Sequence, residues 1–310
     1  MEMPLKILTN LTIMKTKTLI VVLGPTAIGK TSLSIQLAKQ YNTEIVSADS
    51  RQFYKELLIG AAPPSAKELS EVKHHFIQHL SVSEDYNVGK FEEDAILKIE
   101  DLFRKNDKII MTGGSGLYID AICKGFDKMP EIPSEIREKV ISLYKKNGIE
   151  FLQEELKEKD SIYFNEIDTK NPQRLMRALE IIYSTNKTFS SFRKKEKKKR
   201  SFNIVKIGLE IDRELLYNRI NNRVDIMMEN GLEKEVKSLI PYQNKNALQT
   251  VGYKELFEYF GENCSLEQSI EMIKQNTRRF AKRQITWFKK DSSTTYFSPN
   301  NKDEIIRFIG

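Results

Sequence analysis

Two cysteines, Cys123 and Cys264, are all the chain has, too few for a disulfide framework or a four-ligand zinc site. The three histidines, His74, His75 and His79, have no cysteine near them in sequence. A mixed histidine and cysteine metal site is therefore not expected, and a reducing, cytoplasmic setting fits best. Long apolar runs are also missing. The longest strongly apolar stretch, residues 19–23, has five residues, against the ~20 that a membrane-crossing helix needs. Residues 1–13 are mildly apolar but are broken by Lys6 and Asn10 and lack a small-residue cleavage site, so they make a poor signal peptide, and Met14 is an alternative start. There is no internal repeat. What remains is 310 residues, 40% hydrophobic and 30% charged, which is too apolar and varied for a disordered tail and long enough for about two domains.

Lysine and arginine total 50 against 43 acidic residues, a formal charge of +7. That balance alone points only weakly to a polyanionic partner, but its distribution says more. Residues 193–200 read RKKEKKKR, all basic except Glu196, and residues 278–290 read RRFAKRQITWFKK, basic groups interleaved with large rings. Both suit phosphate-facing surfaces, with stacking rings at Phe280, Trp287 and Phe288. Each also has a plainer reading: a solvated linker for the first, a helix with a packed face and a wet face for the second. His74 and His75 read as part of a helix surface, not as a metal site.

Short continuous apolar strands alternate with helical patterns. TLIVVL leads into GPTAIGKT and then the helical SLSIQLAKQY; further strands are expected at residues 44–48, 108–112 and 203–211. Such strands imply an α/β fold, a parallel P-loop NTPase-like sheet with helices on both faces. The charged helical stretch between the third and fourth strands is too long for an ordinary crossover and reads as an inserted helical subdomain. The expected organisation is a core at 15–122, an inserted helical subdomain at 123–201 and a second core segment at 202–310. Residues 213–239 and 266–290 read as long amphipathic helices, and 246–261 as helix and turn.

Gly24, Pro25, Thr26, Ala27, Ile28, Gly29, Lys30 and Thr31 complete the G-x-x-x-x-G-K-T pattern between a strand and a helix. Glycines there let backbone N–H groups converge on phosphate oxygens, Lys30 adds a point charge, and Thr31 offers a hydroxyl to Mg²⁺. The ligand need not be ATP, since any di- or triphosphate presents the same oxygens. Asp49 closes the second strand at the same sheet edge. It suits either a Mg²⁺-water ligand or a base accepting a proton from a nucleophile, and a helix N-cap is the plainer alternative. Gly113, Gly114, Ser115 and Gly116 form a second flexible turn at that edge. Arg223 and Arg219 share one helical face from which either suits a leaving phosphate, although pairing with Asp225 or Glu229 is equally consistent with the spacing.

Seven stretches in order, GPTAIGKT from Gly24, DSRQFY from Asp49, GGSGLY from Gly113, NPQRLMRALE from Asn171, GLEIDRELLYNRINNRVDIMMENGL from Gly208, QTVGYKEL from Gln249 and AKRQITWFKK from Ala281, resemble the tRNA dimethylallyltransferase (IPP transferase) family in its bacterial form. The resemblance implies transfer of the dimethylallyl group of dimethylallyl diphosphate to N6 of adenosine-37, flipped out of the anticodon loop of tRNA. It also implies that Mg²⁺ and the loop hold the diphosphate, that Asp49 takes the amine proton, and that Lys30, Thr31, Ser115 and Arg223 complete the catalytic set. By motif, it places tRNA contacts at Asp49, Ser50, Arg51 and Gln52, and at Ser115. Further contacts fall at Gln173, Arg174, Leu175, Met176 and Arg177, and at Gln249, Thr250, Val251, Gly252, Tyr253 and Lys254. The last set is Lys282, Arg283, Gln284, Ile285, Thr286, Trp287, Phe288 and Lys289. A cytoplasmic monomer without membrane attachment is expected. Three departures from the family pattern put polar contacts in question: Ile28 stands where Ser is common, Gly60-Ala61-Ala62 lacks a Thr, and Ser115 replaces Thr. A nucleotide or small-molecule kinase is the alternative reading of the loop, and a non-catalytic RNA-binding ATPase a third.

Overall fold

The computed structural model describes residues 16–194 and 198–310. Its six strands are β1 (Thr18–Leu23), β2 (Ile45–Ser47), β3 (His74–His75), β4 (Lys108–Gly113), β5 (Asn203–Leu209) and β6 (Thr294–Phe297). They form one sheet in the order β3-β2-β4-β1-β5-β6, and every pair is parallel. TLIVVL is apolar on both faces because β1 lies between two neighbours with helices above and below. Ile20, Val22, Ile110 and Ile207 pack on one side with Leu33 and Leu37 of α1 (Lys30–Gln40), whereas Leu19, Val21, Ile109 and Met111 join the cluster on the other.

That second cluster holds α3 (Val88–Phe103) and α4 (Gly116–Lys124); the short α2 (Ala66–Glu71) precedes them. Phe91, Ala95, Ile99 and Leu102 recur at helical spacing and are buried, so α3 is held by its apolar stripe, with Asn87 capping its start. The chain leaves β1 toward α1 and leaves β4 toward α4, on opposite faces. The crevice between neighbouring strands whose connections diverge is where open α/β sheets bind ligands.

The chain divides into two compact units. Lys124–Lys198 is helical, with α5 (Ser134–Lys159), α6 (Ser161–Glu166), α7 (Pro172–Thr185) and α8 (Phe189–Phe192) around Val140, Leu152, Leu156, Leu175 and Leu179. Pro172 occupies the first turn of α7 and Asn171 accepts from Gln173 N and Arg174 N, a matched start signal. The other unit continues after β5 with α9 (Arg213–Glu229), α10 (Leu232–Ser238), α11 (Tyr253–Phe260), α12 (Leu266–Phe288) and α13 (Lys302–Ile309). Asp212 caps α9, and Ser265 with Gln268 forms a capping box on α12.

Several expectations need correction. His74 and His75 are not on a helix. They form the edge strand β3, where His75 Nε2 lies 2.6 Å from Glu44 Oε2; a two-residue strand carries no alternation to read. β6 was equally unmarked. The stretch 213–239 is two helices, broken at Gly231 with φ 95°. Arg193 and Arg200, at the two ends of the basic run, are not free for phosphate. Arg193 pairs with Glu166 at 2.8 Å, and Arg200 donates to Glu92 and to the carbonyls of Ala121 and Ile122. Lys195, Glu196 and Lys197 lie outside the described residues, and so do both Met1 and Met14.

Gly113 is required by close backbone approach: a Cβ there would lie 2.5 Å from the carbonyl oxygen of Ala48. Gly113→Ala is expected to force the ends of β2 and β4 apart, costing about 1–3 kcal/mol; urea unfolding of the two proteins measures it, and equal midpoints would refute it. Burial holds all three histidines below their ordinary 6.5, with Glu44 opposing it at His75 and Asp94 at His79. As pH falls through that value the unfolded chain binds protons that the native one does not, so stability declines toward acid. Unfolding free energy should be smaller at about pH 5.5 than at about pH 7.5. His79→Phe, in its pocket of Phe53, Phe76 and Tyr86 rings, should flatten that decline, and an unaltered slope would contradict the assignment.

Candidate active site

The loop Gly24–Thr31 turns between β1 and α1 through backbone conformations that most residues avoid. Ala27 is left-handed at φ 63° and Gly29 at φ 106°, where it forms the N-cap of α1. The loop therefore crowns a helix N-terminus, whose free N–H groups and dipole favour an anion. Ile28 points down, 1% exposed, among Val22, Leu33 and Ile110. Its side chain is a core anchor and offers no polar group to the ligand side.

Lys30 Nζ donates to the carbonyls of Gly24 at 3.0 Å and Pro25 at 2.7 Å. Burial pushes its pKa down to about 8; the Asp49 carboxylate opposes that fall and the Arg223 guanidinium adds to it. Arg223 Nη1 donates to Thr26 Oγ1 at 3.2 Å and Arg219 Nη1 to the Ile28 carbonyl at 3.4 Å. Both arginines thus reach the loop from α9. The alternative partner Asp225 is taken by Lys274 at 2.8 Å.

Asp49 follows β2 and starts a turn, not a helix, so the N-cap alternative falls away. Its Oδ1 accepts from Arg51 N at 3.2 Å, leaving Oδ2 beside Gly114, where a Cβ would lie 3.6 Å from it. Ser115 Oγ accepts from Ser50 N at 3.0 Å and lies 3.0 Å from Ser50 Oγ. The substitution of Ser for Thr thus keeps a hydroxyl tying the β4 loop to the Asp49 turn. Arg51 reaches the carbonyls of Asn246, Ala247 and Gln249, which ties the segment ending at Gln249 to the turn that Asp49 starts. Gln52 Nε2 donates to the Ala62 carbonyl at 2.9 Å.

The contiguous stretches proposed as tRNA contacts divide by burial. Lys282, Arg283, Thr286, Trp287 and Lys289 are exposed on α12, and Gln249 and Lys254 are exposed beside α11; Ser50, Thr250, Val251 and Ile285 are half-buried. Gly252, Tyr253, Gln284 and Phe288 are interior. In the helical unit Gln173 and Arg174 are exposed, Arg177 pairs with Glu180 at 3.1 Å, and Leu175 and Met176 are core. An exposed surface cannot use the buried members, so Leu175, Met176, Tyr253 and Phe288 serve packing. Trp287 lies against Gly116, where a Cβ would be 2.5 Å from its ring, and donates to Asp120 at 3.0 Å. Asp120 and Glu235 escaped the sequence reading. Glu235 accepts from Ile59 N, Gly60 N and Tyr253 Oη, holding the Gly60-Ala61-Ala62 turn in place of any threonine bond, and no motif marks it.

The geometry is therefore a loop at a helix N-terminus, reached by Lys30, Arg219 and Arg223, beside a carboxylate and joined to it through the β4 loop. The IPP transferase family profile matches residues 52–291. The tRNA dimethylallyltransferase of Flavobacterium psychrophilum is 55% identical over 285 residues, 90% of this chain and 93% of that protein. That of Flavobacterium johnsoniae is 53% identical over 300 residues, covering 94% and 97%. The crystal structure of the full-length tRNA isopentenylpyrophosphate transferase from Bacillus halodurans superposes with a TM-score of 0.70 at 34% identity, covering 94% of this chain and 95% of that one. A eukaryotic dimethylallyltransferase acting on tRNA gives 0.76 at 28% identity, covering 93% and 75%. With the profile spanning most of its length and relatives above half identity along nearly all of it, the chain belongs to the IPP transferase family.

Proposed function

We propose that the chain transfers the dimethylallyl group from dimethylallyl diphosphate to N6 of an adenosine in tRNA, adenosine-37 of the anticodon loop, releasing diphosphate. The observation that carries this reading is the opposition of Asp49 to Lys30 and Arg223 across one crevice. Cations and loop N–H groups suit the place where a leaving diphosphate gathers charge, and the carboxylate at the end of β2, with β4 between, suits the place where a nucleophile loses a proton. Ionisation of an allylic carbon puts most of its new negative charge on the leaving group, so the chain's main task is stabilising that charge. Lys30 needs only to turn from the Gly24 and Pro25 carbonyls toward a phosphate oxygen. Arg223, already at Thr26, supplies a forked donor.

The exocyclic amine of adenine is a weak base that turns acidic as its nitrogen bonds to carbon. Asp49 then accepts the proton at Oδ2 while Arg51 N holds Oδ1. Among the described residues no group of three His, Cys, Asp or Glu gathers to cage a metal. The Thr31 hydroxyl, a single hard-oxygen donor, fits Mg²⁺, an ion that retains waters and takes other oxygens from phosphates. When bound it neutralises charge on the diphosphate. The exposed Lys282, Arg283 and Lys289, with the partly exposed Trp287 ring, suit an RNA backbone and an unstacked base. A tRNA substrate implies work in the cytoplasm, and no helix among the described residues is long and apolar enough to cross a membrane. A kinase reading of the same loop needs ATP consumption, which family membership does not favour.

The purified protein with Mg²⁺, unmodified tRNA and dimethylallyl diphosphate should yield alkylated adenosine by nucleoside mass spectrometry, with labelled ATP left intact. Chelating divalent cations should stop turnover and added Mg²⁺ should restore it; product formed at an undiminished rate in chelator would remove the metal from the scheme. Asp49→Ala should lower kcat by about 10²- to 10⁴-fold while tRNA affinity, measured by filter binding, stays near wild type. Parallel losses in both would contradict the proton-acceptor role.

A further inference from the structure

Gln284 stands apart from its neighbours on α12. Lys282, Arg283 and Thr286 face solvent, but Gln284 is 6% exposed and both ends of its amide are engaged. Its Oε1 accepts from Thr26 N at 3.0 Å, and its Nε2 donates to the Gly114 carbonyl at 2.8 Å. Thr26 belongs to the phosphate loop and carries the Arg223 contact. Gly114 precedes Ser115, which is bonded to the Asp49 turn. One side chain therefore bridges the donor cradle and the acceptor loop. The fit is tight, since a Cβ on Gly114 would lie 2.5 Å from Nε2.

We propose that Gln284 is a positioning residue that fixes the separation between the diphosphate cradle and the Asp49–Ser115 loop, and that it makes no contact with tRNA. The inference rests on the prenyl-transfer reading above. Glutamine is suited because a carboxamide accepts at one atom and donates at the other. Both loops are rich in glycine and lie outside regular structure, so neither spacing nor orientation is set by its own backbone. Leucine would keep the volume but leave Thr26 N and the Gly114 oxygen unpaired. An ionised glutamate would accept from Thr26 N and repel the Gly114 oxygen, whereas a protonated glutamate would restore both bonds. The charges facing such a carboxyl are Asp49 at Gly114, which with burial raises its pKa, and Arg223 at Thr26 with Lys30 at Gly24 and Pro25, which lower it. Lys282 and Arg283 on its own helix point to solvent. In every case falling pH favours the restoring form.

The test compares wild type, Gln284→Leu and Gln284→Glu as full chains at saturating tRNA and dimethylallyl diphosphate. Gln284→Leu should lose about a hundredfold in kcat, the scale of a 1 Å misplacement of reacting groups, with tRNA affinity unchanged. The kcat of Gln284→Glu relative to wild type should rise as pH falls from about 8.5 to about 6, while the leucine ratio stays flat. A leucine variant that binds tRNA weakly yet turns over normally once saturated would overturn the proposal, as would a pH-independent glutamate ratio. If Gln284→Leu does not fold, the glutamate profile decides alone. Wild-type protein that makes no product in the same assay would sink the prenyl-transfer reading itself, an outcome separate from these.

Discussion

The in-register parallel pairing of β1 with β4, ending at Leu23 opposite Gly113, is the constraint on which the site depends. Because the two strands stop at one level, the loops that follow them open onto the same crevice. Because their connections leave toward opposite faces, the space between the two loops is left to a side chain from a later helix, Gln284. β2 is held to the same edge by Ala48 N donating to the Thr112 carbonyl at 2.7 Å, an approach only a glycine at 113 permits. Asp49 and the Gly24–Thr31 loop, on strands separated by β4, are brought to one sheet edge by backbone pairing, before any side chain contributes.

Side chains then convert proximity into a defined distance. A chain of contacts runs from Arg223 through Thr26, Gln284 and Gly114 to Ser115 and Ser50. Glu235 and Tyr253 perform a parallel service behind the Gly60 turn, which Gln52 joins through Ala62. In both, a polar side chain from a late helix satisfies backbone groups of an early loop. Unpaired, those buried groups would each cost about 1–3 kcal/mol, so the loops gain definition from helices that follow the sheet in sequence.

The same division explains what the sequence revealed. The Gly24–Thr31 loop was legible because its glycines and lysine have one efficient use between a strand and a helix. Asp49 was legible because a polar residue ending an apolar strand must lie at the sheet edge. Gln284 and Glu235 were not, since a polar residue on an amphipathic helix looks solvated unless its tertiary partners are known. Contiguous motif stretches could not separate Trp287 from Phe288, because neighbours on a helix face about 100° apart. Arg200 was misread for the converse reason: a charge inside a basic run gives no sign that helix-end carbonyls and Glu92 have taken it out of water.

Electrostatics shows why a cradle of this kind suits alkyl transfer. Burial disfavours the charge of both Lys30 and Arg223, Arg223 adds to that effect at Lys30, and the opposing carboxylates are Asp49 at both and Glu68 at Arg223. The protein partners of these cations are loop carbonyls and one threonine hydroxyl, which compensate their burial only in part. An anion carrying more than one charge relieves desolvation and mutual repulsion together. A product diphosphate carries more charge than the esterified donor, so the relief grows as the carbon–oxygen bond breaks. Stabilisation that increases along the reaction coordinate is what accelerates a step. The loop therefore needs no phosphoryl acceptor to be catalytic, only a leaving group that becomes more anionic as it departs.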